Sequence, residues 1–128
     1  MPMEEFTIFV RNKPHQLERV CDMLSKHGVN IESVTSEIVG EDAKIKVITN
    51  DATETKNAFR EAGIPFETEE ILVVKVLNRP GELNKLTKKI SVANLNIESI
   101  YKVDDEKLAI RFDDMKKAKE ILRENLVA

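Results

Sequence analysis

Apolar residues change their spacing along the chain in a way that predicts alternating strands and helices. Phe6, Ile8 and Val10 occupy every second position, the period of a strand with one buried face. A helical stripe with i, i+3, i+4, i+7 spacing follows at Leu17, Val20, Cys21 and Leu24. We expect Cys21 to lie in the core with the rest of this stripe. Gly28 then predicts a left-handed residue at the helix end, and the second repeat has Asn94 in its place, the next best residue for that conformation.

The next segments predict a hairpin, a second helix and a last strand. "VNIESVTSEIV" favours a strand, and its apolar positions shift phase between Ile31 and Val34, which predicts a bulge. "GED" predicts a turn into the strand "AKIKVIT". A helix with one apolar face closes at Gly63 and is followed by the strand "IPFETE". The order is therefore strand, helix, strand, strand, helix, strand.

The tetrapeptide "NIES" occurs twice, starting at Asn30 and at Asn96, an offset of 66 residues. The same offset relates the flanking apolar positions, and it changes to 63 after the first hairpin, where "SEIVGEDAK" faces the shorter "KVDDEK". Internal repetition of this kind indicates two copies of one supersecondary unit. We expect modules at residues 1–68 and 69–128, each an α+β ferredoxin-like βαββαβ unit. Each would have a four-stranded antiparallel sheet with two helices on one face, and each is too small to be stable without the other.

The sheet face without helices predicts a contact with a partner. Phe9, Val73 and Leu77 fall on the strand positions opposite the helix-covered ones. An uncovered apolar face of this kind marks a partner surface. We therefore expect a homodimer or a higher homo-oligomer.

Composition narrows the class of protein. Apolar residues make up 41% and charged residues 34%, which is typical of a globular protein. A net charge of −3 gives no basic footprint for nucleic acid, and no apolar run reaches the roughly 18 residues of a membrane span. The single cysteine favours a reducing compartment. With no signal-peptide pattern in "MPMEEFT", we expect a cytoplasmic protein that contacts neither membrane nor nucleic acid.

The segment "VLNRPGEL" carries the clearest chemical pattern. A predicted strand ends at Asn78, Pro80 stiffens the turn, and a helix follows Gly81. Free N–H groups and partial positive charge at a helix start stabilise an anion such as a carboxylate. Gly81 lets such a ligand approach the backbone without meeting a Cβ atom. Asn78 has the alternative interpretation of a helix cap.

The motif "N-x-P-G-x-L", followed about fifteen residues later by "N-I-x-x-I", resembles the ACT domain family, and the likeness covers nearly the whole chain twice. It is closest to small proteins made of two ACT domains and little else. The resemblance implies a non-catalytic regulatory protein whose free amino-acid effector lies at an interface between ACT modules. The strand-to-helix loop of one module and the second-strand start of another would hold it. The positions implied are Leu77, Asn78, Arg79, Pro80, Gly81, Glu82, Leu83, Asn96 and Ile97.

The first repeat departs from this pattern because "NKPHQL" places His15 where the family has glycine. An imidazole there stands where the ligand would meet the backbone. The first repeat is expected to contribute across an interface instead, through Asn12, Gln16, Asn30 and Ile31. "NIES" also has a purely structural interpretation, with Asn in a turn, Ile in the core, and Glu and Ser in solvent.

The sequence shows no nucleophile elbow, phosphate-binding loop or dinucleotide fingerprint. His15, His27 and Cys21 have no spacing that suits a metal, so we expect no enzyme activity, cofactor or metal. The leading hypothesis is an amino-acid-binding regulator that acts on an amino-acid biosynthetic enzyme in trans. The alternatives are an oligomerisation module without a ligand and a ferredoxin-like fold that binds RNA on its open sheet face. The low content of aromatic residues argues against RNA binding, because RNA-binding sheets stack bases on aromatic side chains.

Overall fold

The computed structural model describes residues 3–127, which divide into two compact units. The first unit is Glu4–Glu69 and the second begins at Glu70. Within this range the four α-helices lie in the predicted order and the α+β tandem fold class is confirmed. The two predicted four-stranded sheets need correction, because six strands form within residues 3–127 in place of the eight predicted.

The first unit is built around a short antiparallel sheet with the strand order β2-β3-β1. Its register places Ile8 opposite Ile45 and Val34 opposite Val47. The elements are β1 (Met3–Arg11), α1 (Gln16–Lys26), β2 (Ile31–Val39), β3 (Asp42–Thr49) and α2 (Ala52–Glu61). Both helices pack on the same sheet face, where Phe6, Phe59 and Phe66 form the centre of the core with ring centroids 5.7 to 6.1 Å apart.

The second unit repeats this arrangement with the strand order β4-β6-β5. Its elements are β4 (Glu67–Lys75), α3 (Glu82–Val92), β5 (Ile97–Asp104), β6 (Lys107–Phe112) and α4 (Met115–Ile121), and a 3₁₀ turn at Arg123–Asn125 follows. Leu86 and Ile90 of α3 and Ala118 of α4 pack on one face of this sheet. The predicted last strand "LVA" is reduced to a bridge between Leu126 and Val74, with the Val127 N–H donating to the Val73 carbonyl at 2.8 Å.

Local predictions based on the repeat are confirmed at matching positions. The register of β2 shifts between Ile31 and Ser33, and that of β5 shifts between Ile97 and Ser99. At the helix ends, Gly28 has φ of +70° and Asn94 has φ of +57°. Glycine and asparagine are the residues that most readily adopt this left-handed conformation.

Three predictions about strands and burial need correction. Cys21 is exposed, because the buried face of α1 consists of Val20 and Leu24 and the predicted stripe is wider than the contact. "IPFETE" forms no separate strand, since β4 starts at Glu67 and continues to Lys75. On the predicted open sheet face, Val73 is buried and Leu77 lies beyond the end of β4, so of the three predicted apolar positions only Phe9 is an exposed strand residue.

Candidate functional site

The loop between β4 and α3 leaves the sheet early. The last bond to the sheet is from the Val76 N–H to the Glu106 carbonyl, at 2.8 Å, so Leu77 and Asn78 lie beyond the ladder. In the first unit, β1 pairs with β3 as far as Arg11, and the Asn12 N–H still donates to the Glu41 carbonyl at 3.1 Å. The shorter second hairpin is the cause, because β6 begins at Lys107 and leaves no strand residues to pair with Leu77 and Asn78.

Gly81 is the N-terminal cap of α3 and has a left-handed backbone with φ of +86°. No side chain caps this helix, so the alternative of Asn78 as a helix cap is wrong. Within residues 3–127, the N–H groups of Gly81, Leu83 and Asn84 have no acceptor. These are the free donors that a helix start offers to an anion.

Charged side chains surround this helix start. Arg79 Nη2 lies 2.9 Å from Glu82 Oε1, and Lys85 Nζ lies 3.5 Å from the same oxygen. The hydrogen bond from Arg79 is the main cause that lowers the pKa of Glu82, and burial opposes it. Glu82 therefore stays ionised, and the three side chains together carry one net positive charge beside the positive end of the helix.

The second unit contains a cavity of about 520 Å³ beside this loop. Leu77 and Glu82 line it together with Lys85 and Leu86 of α3. Asn78, Arg79, Pro80, Gly81 and Leu83 are exposed on the loop and the first helical turn. The structure thus gathers the predicted residues 77–83 in one exposed segment that borders a cavity.

Asn96 and Ile97 lie at the other end of α3 within the same unit. An 11-residue helix is roughly 16 Å long, so these two residues do not join the loop in one unit. The Asn96 backbone N–H and side-chain Nδ2 donate to the two carboxylate oxygens of Asp113 at 3.1 and 3.0 Å. Ile97 is half-buried against the second core.

Asp113 is a partner that sequence analysis missed. The hydrogen bonds from Asn96 are the main cause that lowers its pKa. The repeat offset of 63 pairs it with Asn50, whose Oδ1 accepts from the Asn30 N–H at 2.9 Å. This shared corner supports the structural interpretation of the asparagine in "NIES", and the offset was the signal that pointed to both partners.

The first-unit loop has the same turn bonds but a different helix cap. The Lys13 N–H donates to the Arg11 carbonyl, and the Gln16 N–H donates to the Lys13 carbonyl. His15 caps α1 with φ of −93°, a right-handed conformation, and its side chain makes no cap bond. Arg11 Nη1 lies 2.9 Å from Glu41 Oε2, so an exposed ion pair links the start of this loop to the hairpin turn.

Of the residues predicted in the first repeat, Asn12 and Gln16 line a cavity of about 410 Å³. Asn30 is exposed at the corner with Asn50, and Ile31 packs partly buried against the first core. The structure therefore brings Asn12 and Gln16 together and leaves Asn30 and Ile31 at the opposite end of α1.

Within the described residues, no group of three or more His, Cys, Asp and Glu side chains is arranged to hold a metal. None of the helices in that range is long and apolar enough to span a membrane.

Comparison with known proteins gives both a family and a fold. A family model for an ACT domain pair matches residues 1–128. No curated protein sequence matches the chain.

The fold is similar to that of a protein from Bacteroides thetaiotaomicron, with a TM-score of 0.91, 23% identity, and coverage of 100% of this chain and 93% of that one. It is also similar to the regulatory subunits of aspartate kinase from Thermus thermophilus and Thermus flavus. The first has a TM-score of 0.68, 15% identity, and coverage of 95% and 89% of the two chains. The second has a TM-score of 0.63, 14% identity, and coverage of 95% of this chain and 88% of that one. Likeness at these identities shows the fold alone.

Proposed function

The chain belongs to the family of ACT domain pairs, and we propose that it is a non-catalytic regulatory protein that binds a free amino acid. The helix start at Gly81 carries this proposal, because free N–H groups, a left-handed glycine and net positive charge meet beside a cavity. The carboxylate of an amino acid fits that arrangement. In this proposal the two ACT modules that take part in binding are residues 1–68 and residues 69–128.

The opposite end of the ligand needs a second contributor. We propose that Asn96 and Ile97 of another ACT module supply it, since roughly 16 Å of helix separates them from the loop of their own unit. Asp113 accepts a hydrogen bond from the Asn96 side-chain amide and thereby orients it. The Asn96 Oδ1 atom is then left as an acceptor for an ammonium group. A homodimer or higher homo-oligomer would provide such a module.

The second-unit loop is the primary site in this proposal. Asn12, Gln16, Asn30 and Ile31 of the first unit contribute from across an interface, because His15 stands where the second loop has the left-handed Gly81. The same difference favours the second candidate function, an oligomerisation module without a ligand.

The proposed target is an amino-acid metabolic enzyme that is regulated in trans in the cytoplasm. The single cysteine, which has no possible partner within the chain, supports a reducing compartment. The RNA-binding alternative gains no support, because Phe9 is the only exposed aromatic residue within residues 3–127 and base stacking needs several such side chains.

The test is a thermal-shift screen of the twenty amino acids and a short single-stranded RNA. A ligand that binds the native state raises the melting temperature by mass action. We expect at least one amino acid to do so and the RNA to have no effect. A flat response to every amino acid would favour the oligomerisation module.

The variant Gly81→Asp tests whether the ligand binds at this helix start. It is titrated calorimetrically with whichever amino acid stabilises the parent. The added carboxylate repels the ligand's carboxylate at the helix start, and each 1.4 kcal/mol lost is about tenfold in affinity. We expect no detectable binding. Unchanged affinity would place the ligand elsewhere and reduce the loop to a structural turn.

A further inference from the structure

A groove of the second unit lies outside the candidate loop, between α3, α4 and the 3₁₀ turn that follows. Its volume is about 840 Å³. Lys85, Lys89 and Glu124 line both this groove and the cavity beside the candidate loop, so the two are neighbours along α3.

The equivalent groove of the first unit is smaller, with a volume of about 280 Å³. His27 fills part of the space between the helices, since its Nδ1 lies 3.4 Å from Glu54 Oε2 and its Nε2 lies 3.1 Å from Glu61 Oε2. The repeat places Ala93 at the position of His27. In addition, α2 has 10 residues and α4 only 7, so the second helix pair is shorter and less filled.

The two grooves also differ in charge. Four cationic residues line the second groove, at Lys85, Lys88, Lys89 and Arg123, against the two acids Glu120 and Glu124. Lys88 and Arg123 form no ion pair within residues 3–127. In the first unit the position of Lys88 is occupied by Asp22, which holds Lys26 at 3.0 Å.

An apolar side chain stands at the rim of the second groove. Val92 is 82% exposed and occupies the position that Lys26 has in the first unit. Ile121, which is half-buried, faces the same groove from α4. The apolar pair Val92 and Ile121 and the excess of cations over acids make the groove complementary to a partner that carries both apolar and acidic side chains.

We propose that this groove binds an acidic amphipathic helix of a partner protein. The apolar side of such a helix packs on Val92 and Ile121, and its glutamates meet the cations of α3 and Arg123. Complementary charge fixes orientation and raises the association rate. This inference goes beyond the proposed function, because it does not depend on amino-acid binding.

The probe is a fluorescein-labelled synthetic peptide of about 18 residues, with leucine at i, i+4, i+7 and i+11 and glutamate on the flanks. Two control peptides are matched to it. One has the same composition in scrambled order, and the other has lysine in place of glutamate. Binding is measured by fluorescence anisotropy, and the contact surface is mapped by backbone amide shifts of the full chain.

Two exposed positions separate the apolar and ionic contributions. Lys88→Glu reverses an unpaired charge, and Val92→Ser removes the apolar contact without changing charge. Lys116→Glu, on an exposed face of α4 outside the groove, is the control with the same change in net charge.

We expect the acidic peptide to bind, Lys88→Glu and Val92→Ser each to weaken it by about tenfold, and Lys116→Glu to leave it within about twofold. Amide shifts should centre on α3 and α4. The proposal is overturned if the acidic peptide does not bind, if either control peptide or a short single-stranded RNA binds equally well, or if the shifts lie elsewhere. Gly81→Asp should retain peptide binding, so failure here is distinguishable from failure of the amino-acid proposal.

Discussion

The left-handed backbone at Gly81 leads to a prediction about stability, for which the equivalent helix cap of the first repeat provides the control. A Cβ atom added at Gly81 meets no atom within 4 Å, so packing adds nothing to the cost of Gly81→Ala. The cost comes from φ of +86° alone, and for an L-residue it is about 1–2 kcal/mol. We therefore expect Gly81→Ala to lower the melting temperature by about 3–12 °C, at roughly 3–6 °C per kcal/mol for a chain of this size.

The repeat provides the control at the equivalent cap. His15 has φ of −93° and no side-chain cap bond, so His15→Ala should change the free energy of unfolding by less than about 0.5 kcal/mol. Gly81→Asn should fall between the two, since asparagine tolerates the left-handed region. Chemical denaturation without ligand measures all three variants. If Gly81→Ala is as stable as the parent, Gly81 is not held at positive φ in solution, and the preorganised helix start is wrong.

The remaining predictions concern two side-chain clusters. His27→Ala should lower the free energy of unfolding by about 0.5–1 kcal/mol in a denaturation assay, because it removes the contacts with Glu54 and Glu61; an unchanged midpoint would show that the cluster contributes nothing. Asn96→Ala should raise the pKa of Asp113 towards its ordinary range in a carboxyl-carbon NMR titration. A depressed folded-state pKa stabilises the fold above the unfolded-state pKa and loses that effect as pH falls through the folded value, so the variant should show a weaker acid dependence. An unchanged pKa of Asp113 in Asn96→Ala would show that the hydrogen bonds from Asn96 are not what lowers it.

Much of the fold was predictable because local patterns agree with the tertiary arrangement. The phase shift in "VNIESVTSEIV" predicted the bulge after Ile31, and the repeat carried the same bulge to Ile97. Gly28 and Asn94 predicted left-handed helix ends from residue type alone. These features depend on a few neighbouring residues, which is why one sequence contains enough information about them.

Burial was harder to predict because it depends on which elements are adjacent. Cys21 fits a helical stripe, yet α1 buries only Val20 and Leu24. Val73 was expected on an open face and is 4% exposed. Apolar periodicity identifies a face of an element without giving the width of the contact that covers it.

The candidate site was predicted in its position and not in its conformation. The sequence located the loop through Gly81 and indicated that His15 would obstruct its counterpart. The backbone difference between the two caps and the pairing of Asn96 with Asp113 became visible only in the structure. Both depend on contacts distant in sequence, which a local motif does not encode.

The length of the β5–β6 hairpin suggests a way to alter a binding loop from a distance. The loop at Leu77 leaves the sheet because the β5–β6 hairpin is shorter than the β2–β3 hairpin. Its release therefore depends on the length of a distant turn and not on the side chains of the loop. Removing three residues around Gly40 from the β2–β3 hairpin should likewise release Arg11 and Asn12 while retaining their identities. Hairpin length in this fold thus sets how far the first strand of a repeat stays paired, so an engineer can free the loop of the first repeat without replacing any of its residues.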